Sequence, residues 1–425
     1  MIPVAWEELE RLALGRLVRG RDNGSITGIL ADSRLVGPGD LFVALNTGVS
    51  YVADARARGA ATLVPDDQDA ALAELASLVR SRSSARVVAI VGSTGKTTTK
   101  DMLGALCAAV VPTVFPAESL NNEIGLPLTV CRLERDTEVL VTEMGMRGLG
   151  QIAQLCAVAR PRLVLVTSIG PEHLELVGSI ENVARANAEA IGALPPGGIA
   201  VVPADAPELE PYLDRPGIEV RRFDRADASI AGGVARVRVA GRTLQLRVPF
   251  LQRHFAENLL AALTAYDALG LPLERAQEGA ARIELSRWRG EQLELPGGGF
   301  VVNDAYNANP TSMRAALLDL AARAGGRRRV AVLGEMAELG DHADRYHRDI
   351  GAVVAETVDV LVAVGERARL YMEPGVREMR WVATADGLEG VVRPGDAVLV
   401  KASRAVGLEG LAERIANHAR SWSVS

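Results

Sequence analysis

The sequence predicts an α/β protein of three domains: a small α/β N-terminal domain at 1–83, a central domain on a parallel sheet at 84–286, and a second α/β domain at 287–425. Three observations predict this. From 87 to about 210, short apolar runs alternate with helical stretches, the pattern of a parallel sheet covered on both faces. A second strand-and-helix series begins near 290. Between the first 80 residues and the central series, "SLVRSRSSARVVAIVG" at 77–92 passes from polar, serine-rich chain into a buried strand, which marks a boundary near 84. A length of 425 residues accommodates this division at roughly 100–200 residues per domain.

The elements follow in order. "DLFVAL" at 40–45 is the clear strand of the N-terminal domain, and "DAALAELASLV" at 69–79 is helical by its period. The central strands are 87–91, "EVLVTE" at 138–143, "LVLVTSI" at 163–169 and "GIAVVP" at 198–203. "RVRVAGRTLQLRVPF" at 236–250 alternates apolar and polar residues, so it predicts antiparallel hairpin structure, with a helix over 256–270 after it. "GFVVND" at 299–304, "RRVAVLG" at 328–334, "VDVLVAVG" at 358–365 and "DAVLVKAS" at 396–403 give the third domain a Rossmann-like series.

Composition narrows the function. The chain is 48% hydrophobic and 24% charged with net charge −6, and no long stretch is strongly basic, which argues against nucleic acid as a partner. The N-terminus carries three glutamates and lacks a signal peptide's basic start. No run of about 18 or more apolar residues is present to insert in a membrane, so a cytoplasmic protein is expected. Cys107, Cys131 and Cys156 are spaced 24 and 25 apart in apolar surroundings, which suits buried thiols and neither a metal site nor a disulfide framework. Lysine occurs only at 96, 100 and 401.

The chemistry gathers after the first central strand. Gly92-Ser93-Thr94-Gly95-Lys96-Thr97-Thr98 is a shortened phosphate-loop pattern, G-x-x-G-K-T, between a strand and a helix, so the central domain is expected to be a P-loop-type ATPase. Its glycines let backbone N–H groups face phosphate oxygens, and the helix presents its positive end to the same anion. Lys96 is placed to reach the outer phosphates, and the Thr97 hydroxyl to ligate Mg²⁺. Glu143 ends the next strand pattern, where open parallel sheets place ligands, and is the candidate acid for the metal. His173 follows the strand after that. In the third domain, "NDAYNANP" at 303–310 crowds Asp304, Tyr306, Asn307 and Asn309 at a strand end, suited to a ribose, base or phosphate.

Together these stretches resemble the Mur ligases, ATP-dependent amide-forming enzymes of bacterial wall synthesis, over essentially the whole chain. "DSR" at 32–34 and "GDLFVAL" at 39–45 look like the family's uridine-nucleotide domain. "GSTGKTTTK", "LNNEIGLPLT", "TEMGMRGLGQI" and "TSIGPEHLELVGS" look like its ATPase core. "NDAYNANPTSM", "GEMAELG" and "KASRAVGLE" look like the third domain of the member that joins D-Ala-D-Ala to UDP-MurNAc-tripeptide. The resemblance implies ATP and two Mg²⁺ ions, an acyl-phosphate intermediate, and a UDP-MurNAc-pentapeptide product. It implies Lys96 on the transferred phosphoryl group, Thr97 and Glu143 on one metal, and His173 on the other. It implies ATP contacts from Asn258, Arg289, Asp304, Tyr306 and Asn307. Ser33, Arg34, Asn121 and Asn122 would lie along the uridine-nucleotide and peptide path, and Lys401, Ser403 and Arg404 would receive substrate carboxylates. A monomer that closes around its substrates suffices for this chemistry.

One departure bears on catalysis. Relatives commonly carry a lysine, converted to a carbamate that supports the second Mg²⁺, where this chain has Asn187. A neutral amide cannot supply that charge. Three outcomes follow: Glu189 reaches in, a small anion such as chloride takes the carbamate's place, or the enzyme is impaired; the anion is the one expected. The competing expectations are a related ligase with another amino substrate, such as glutamate added to a folate, and a nucleotide-binding homologue without turnover.

Overall fold

The structure, a computed structural model, describes residues 1–21 and 24–420. The expected third domain runs to 425, and its residues 421–425 lie outside the described residues.

Near the N-terminus, four strands lie in the spatial order Gly15–Val18, Ala61–Pro65, Asp40–Val43, Gly28–Leu30. The helix Gln68–Ser81 follows, its N-terminus closed by the Asp67 carboxylate, which accepts from the N–H groups of Asp69 and Ala70. Leu72, Leu75 and Val79 on this helix share one buried core with Leu126, Val130 and Val158 of the central region. Arg80 ties the junction by donating to the carbonyls of Ala159 and Ser83, at 2.8 and 2.7 Å. Apolar packing therefore runs across the chain boundary near 84.

The central sheet has six parallel strands in the order Glu219–Phe223, Ile199–Pro203, Leu163–Val166, Arg86–Val91, Val139–Glu143, Thr113–Val114. The run Val87–Val91 is apolar throughout because both faces are covered. Val87, Ala89 and Val91 join the core that includes the helices Gln151–Ala159 and Ile180–Gly192. Val88 and Ile90 join that of Lys96–Ala108 and Arg253–Ala268. Strand 163–166 stops short of the predicted 169, because Thr167 and Ser168 turn toward the phosphate loop. The alternating region is a three-stranded antiparallel sheet, Ala228–Ala231, Val234–Val239 and Arg242–Arg247, larger than the predicted hairpin by its first short strand.

The C-terminal sheet runs Glu291–Leu295, Gly299–Asp304, Ala397–Lys401, Arg329–Gly334, Val360–Val364, Glu378–Val382, parallel except for its first edge strand. Pro310–Arg323 and Ala343–Thr357 cover one face and Leu411–Arg420 the other. Neighbouring strands thus end together at Asp304, Gly334 and Lys401.

A buried ion pair anchors the connection between these two sheets. Lys100 is fully buried, contacts the Asp101 carboxylate and donates to Pro116 O at 2.7 Å. The other Asp101 oxygen accepts from both N and Oγ of Ser286, each at 2.8 Å. Asp101→Ala leaves the Lys100 ammonium buried without its counterion, so a loss of about 3–5 kcal/mol is expected in denaturant unfolding. An unchanged midpoint would contradict this role.

Cys107, Cys131 and Cys156 are free and buried, and burial pushes each thiol up to about 12, which leaves them inert. Among the described residues no helix is long and apolar enough to cross a membrane.

Candidate active site

Strand order brings the site together. Arg86–Val91 lies between Leu163–Val166 and Val139–Glu143, so the loop at 92–95, the 167–173 segment and Glu143 leave adjacent strand ends. Gly92 has φ +123°, and a Cβ there would overlap Thr167 Oγ1 and stand 2.9 Å from Ser168 N and O. Gly95 has φ +87°, and a Cβ there would come 2.6 Å from Asn258 Oδ1, which places Asn258 against the loop. Ser93 N donates to Ser168 O at 2.9 Å, Thr94 N to Ser168 Oγ at 2.9 Å, and Gly170 N to Ser93 Oγ at 3.0 Å. The helix Lys96–Ala108 then starts with no side chain capping its N-terminus. Its first-turn N–H groups are left for an anion, with the positive end of the helix behind them. Thr98 is buried in that first turn.

Lys96 Nζ contacts Gly92 O and lies 3.2 Å from Glu172 Oε2, a buried carboxylate. Sequence reasoning missed Glu172, since nothing in "GPEHLE" signals that this acid folds back over the loop.

Thr97 Oγ1 donates to Ser119 Oγ at 3.3 Å, and Ser119 Oγ donates to Glu143 Oε1 at 2.7 Å. Asn121 Nδ2 donates to the same oxygen at 2.8 Å. Glu143 Oε2 is buried with no hydrogen-bond partner. An orphaned, buried carboxylate oxygen is costly unless something fills the position. A hard, oxygen-seeking cation held by one carboxylate, a threonine hydroxyl and phosphate oxygens fits this donor set. Among the described residues no three His, Cys, Asp or Glu side chains form a metal cage, so such an ion would depend on the nucleotide's own oxygens. His173 lies in the 167–173 segment with its ring partly buried and its Nδ1 2.5 Å from Glu338 Oε2.

Asn187 is buried beneath the loop. Its Oδ1 accepts from Gly92 N at 2.6 Å and its Nδ2 donates to Val183 O at 2.9 Å. The amide therefore pins the first residue of the phosphate loop. Glu189 does not reach in: its two oxygens accept from Gly150 N and Ala153 N, where they close the N-terminus of Gln151–Ala159.

The C-terminal strand ends face the loop. Asn309 Nδ2 donates to Thr94 Oγ1 at 3.0 Å, a direct contact between the two regions. Arg289 stacks over the Tyr306 ring at 4.0 Å, and its Nε is buried without a partner. Arg289, Tyr306, Trp288 and Arg404 line a cleft of about 700 Å³ that reaches Thr97 and Ser119. Arg404 is exposed, with its guanidinium 5.4 Å from the Tyr306 ring centre. A cavity of similar size, about 690 Å³, lies between Leu293–Pro296 and the helix 411–420, away from this chemistry.

Lys401 and Ser403 sit differently from expectation. Lys401 is buried, 2.5 Å from Asp304 Oδ2 and 3.0 Å from Asn307 O. Ser403 Oγ is buried too, accepting from Ala337 N at 2.9 Å. Both organise the loops at 304–309 and 335–340, and their polar groups are already taken; Arg404 alone of the three points into the cleft. In the N-terminal region, Ser33 is buried and Arg34 forks onto Asp32, with Nε–Oδ1 at 2.9 Å and Nη2–Oδ2 at 2.7 Å. The Arg34 hydrogen bonds lower the Asp32 carboxyl to about 2. Asn122 Oδ1 accepts from Gly125 N at 2.9 Å and so shapes the turn after Asn121.

Two imidazoles are withdrawn from water: His347, which braces the C-terminal region, and His254, on the central helix Arg253–Ala268. His347 accepts from Met336 N through Nε2 at 3.1 Å, and its Nδ1 is 2.7 Å from Ala343 O. Burial holds His347 and His254 below the ordinary histidine range. The unfolded chain then binds these protons at higher pH than the folded one, so stability falls as pH drops below about 6.5. Melting temperature is expected to hold above neutrality and decline from pH 6.5 to 5; a rise over that range would contradict neutral histidines.

Known proteins match this architecture. Residues 90–266 match the Mur ligase middle domain and residues 288–404 the Mur ligase, glutamate ligase domain. The UDP-N-acetylmuramoyl-tripeptide–D-alanyl-D-alanine ligase of Mycobacterium bovis is 35% identical over 463 aligned positions, covering 90% of this chain and 91% of that protein. A crystal structure of MurF from Acinetobacter baumannii aligns with TM-score 0.86 at 27% identity, over 98% of this chain and 99% of the other. MurF ligase from Thermotoga maritima in complex with ADP aligns with TM-score 0.79 at 26% identity, over 93% and 98%. With that identity over nine-tenths of its length, the chain belongs to the Mur ligase family, and its three-domain α/β architecture is the family's own.

Proposed function

We propose that this chain uses ATP to join D-alanyl-D-alanine to UDP-MurNAc-tripeptide, giving UDP-MurNAc-pentapeptide, ADP and phosphate. The observation that carries the reading is the buried, unpartnered Glu143 oxygen, on the strand next to the phosphate loop and linked through Ser119 to Thr97, two residues that line the Arg289–Tyr306 cleft. The relatives' names supply the substrates.

The chain's residues divide the work by position. The loop N–H groups and the helix N-terminus bind the nucleotide's phosphates. Lys96 exchanges Glu172 and Gly92 O for the γ-phosphate and stabilises the charge developing on it. Asn258 and, from the third domain, Arg289, Asp304, Tyr306 and Asn307 close on the nucleotide. Thr97 and Glu143 would hold one Mg²⁺ and His173 a second; bound there, the ions neutralise charge on the phosphate oxygens. The tripeptide's terminal carboxylate oxygen attacks the γ-phosphorus and the bond to ADP breaks. The dipeptide amine then attacks the acyl carbon and gives up a proton, the amide C–N bond forms, and the acyl C–O bond breaks so that phosphate leaves carrying one oxygen of the original carboxylate. Positioning and charge stabilisation supply the rate. Arg404 is the cleft residue suited to a substrate carboxylate, and Ser33 and Arg34 are assigned to the uridine nucleotide.

Asn121 orients Glu143, and Asn122 shapes the peptide path. Chloride in the place of a carbamate belongs to this proposal, since Asn187 carries no charge; equal rates in acetate and chloride buffers would remove the ion from it. Three domains divided near 84 and 287, acting as a cytoplasmic monomer, complete the reading. A heavy-oxygen label in the tripeptide carboxylate tests the chemistry. Its recovery in released phosphate is expected; its complete retention in the peptide would overturn the acyl-phosphate route.

A further inference from the structure

The loop after strand Arg329–Gly334 reaches across to the central region at one point. Glu338 Oε2 stands 2.5 Å from His173 Nδ1. That nitrogen is buried without another hydrogen-bond partner, and the Glu338 carboxylate stands within hydrogen-bond distance of it. Both residues hold left-handed backbone without being glycine, His173 at φ +48° and Glu338 at φ +64°. Such a conformation costs roughly 1–2 kcal/mol per residue, and it persists only where the surroundings impose it.

The surroundings are rigid on both sides. Glu175 N donates to Glu338 O at 3.3 Å. Gly340 packs on Glu175 so closely that a Cβ would meet its Cα at 3.0 Å. Ala337 N is fixed by Ser403 and Met336 N by His347. Arg147 Nη2 lies 3.8 Å from the other Glu338 oxygen. Two strained residues, one from each domain, are thus held face to face.

We propose that Glu338 is a positioning residue for His173. Its carboxylate accepts the Nδ1–H, fixes that tautomer and leaves the Nε2 lone pair free for a divalent cation. Metal-bound histidines are commonly oriented in this way, and losing the outer partner costs about 10–100-fold in metal affinity. Here the partner belongs to the other domain. Docking of the C-terminal domain and cation binding at His173 therefore strengthen each other, by the same factor in both directions. The inference rests on the reading of His173 as a metal ligand.

Mn²⁺ binding to the full-length protein in excess ADP, followed by the spin-resonance signal of free Mn²⁺, separates the two. Loss of the weaker Mn²⁺ site is expected in His173→Ala. Glu338→Ala is expected to weaken that site by about 10-fold or more. Glu338→Gln, which keeps an acceptor, is expected to lie nearer wild type, and the His173→Ala/Glu338→Ala double variant to be no worse than His173→Ala. Metal-free ADP affinity is expected to stay constant in Glu338→Gln. Unchanged Mn²⁺ binding in His173→Ala would overturn the metal reading itself. A weakened His173→Ala with an unaffected Glu338→Ala, or with fully additive losses, would overturn the role of Glu338 alone. If Glu338→Ala does not fold, Glu338→Gln and Glu338→Asp carry the comparison, and equal Mn²⁺ affinity in wild type and both would overturn it.

Discussion

Lys96→Met is expected to lower the single-turnover rate of acyl-phosphate formation by at least a hundred- to thousandfold, the scale of losing one charge-stabilising group from a phosphoryl- or acyl-transfer site. No other lysine is available to replace it. Lys100 is buried against Asp101 and Lys401 against Asp304. Lys96→Arg is not expected to restore the rate, because a planar guanidinium does not fit the point-charge place between Gly92 O and Glu172. ADP binding is expected to weaken far less than the rate, since the loop N–H groups and helix end remain. A Lys96→Met protein that still phosphorylates the tripeptide within a few-fold of wild type would show that the loop alone carries the charge.

Gly92→Ala is the second large effect, and it acts through the backbone. A methyl group there overlaps the Thr167 hydroxyl and crowds Ser168 N and O, and φ +123° is closed to an L side chain. The residue must turn, which breaks the 2.6 Å bond from Gly92 N to Asn187 and the loop's contacts with Ser168. Loss of nucleotide binding is expected, with destabilisation on the order of 1–3 kcal/mol from overpacking. Asn187→Ala is the milder counterpart, leaving a buried N–H unsatisfied. Titration with a fluorescent ADP measures both. Wild-type affinity in Gly92→Ala would mean that the loop's shape does not set binding.

The fold was legible where one local rule decided it. Val87–Val91 is a central strand because an unbroken apolar run needs cover on both faces, and it has that cover. Gly92 and Gly95 announced a tight phosphate loop, and both need positive φ. Glu143 was legible as a strand-end acid, and its unpartnered oxygen now gives that position a chemical reason. What could not be read lies in long-range pairing. Glu172 over Lys96, Ser119 between Thr97 and Glu143, and Asn309 on Thr94 join segments far apart in sequence, and none belongs to a spacing pattern. Lys401 was assigned to a substrate carboxylate by resemblance alone, and nothing local in the sequence showed that it is buried against Asp304. Asn187 illustrates the same limit. Its neutrality was visible in the sequence, but its bond to Gly92 N needed the helix Ile180–Gly192 placed under the loop.

ADP formation from ATP, measured with UDP-MurNAc-tripeptide in the presence and absence of D-Ala-D-Ala, tests the central claim most directly. Sustained ADP production that needs both substrates, together with UDP-MurNAc-pentapeptide by mass, is the predicted result, and it would show that Asn187 is compatible with turnover. No ADP with both substrates present, or ADP production that ignores them, would contradict the ligase.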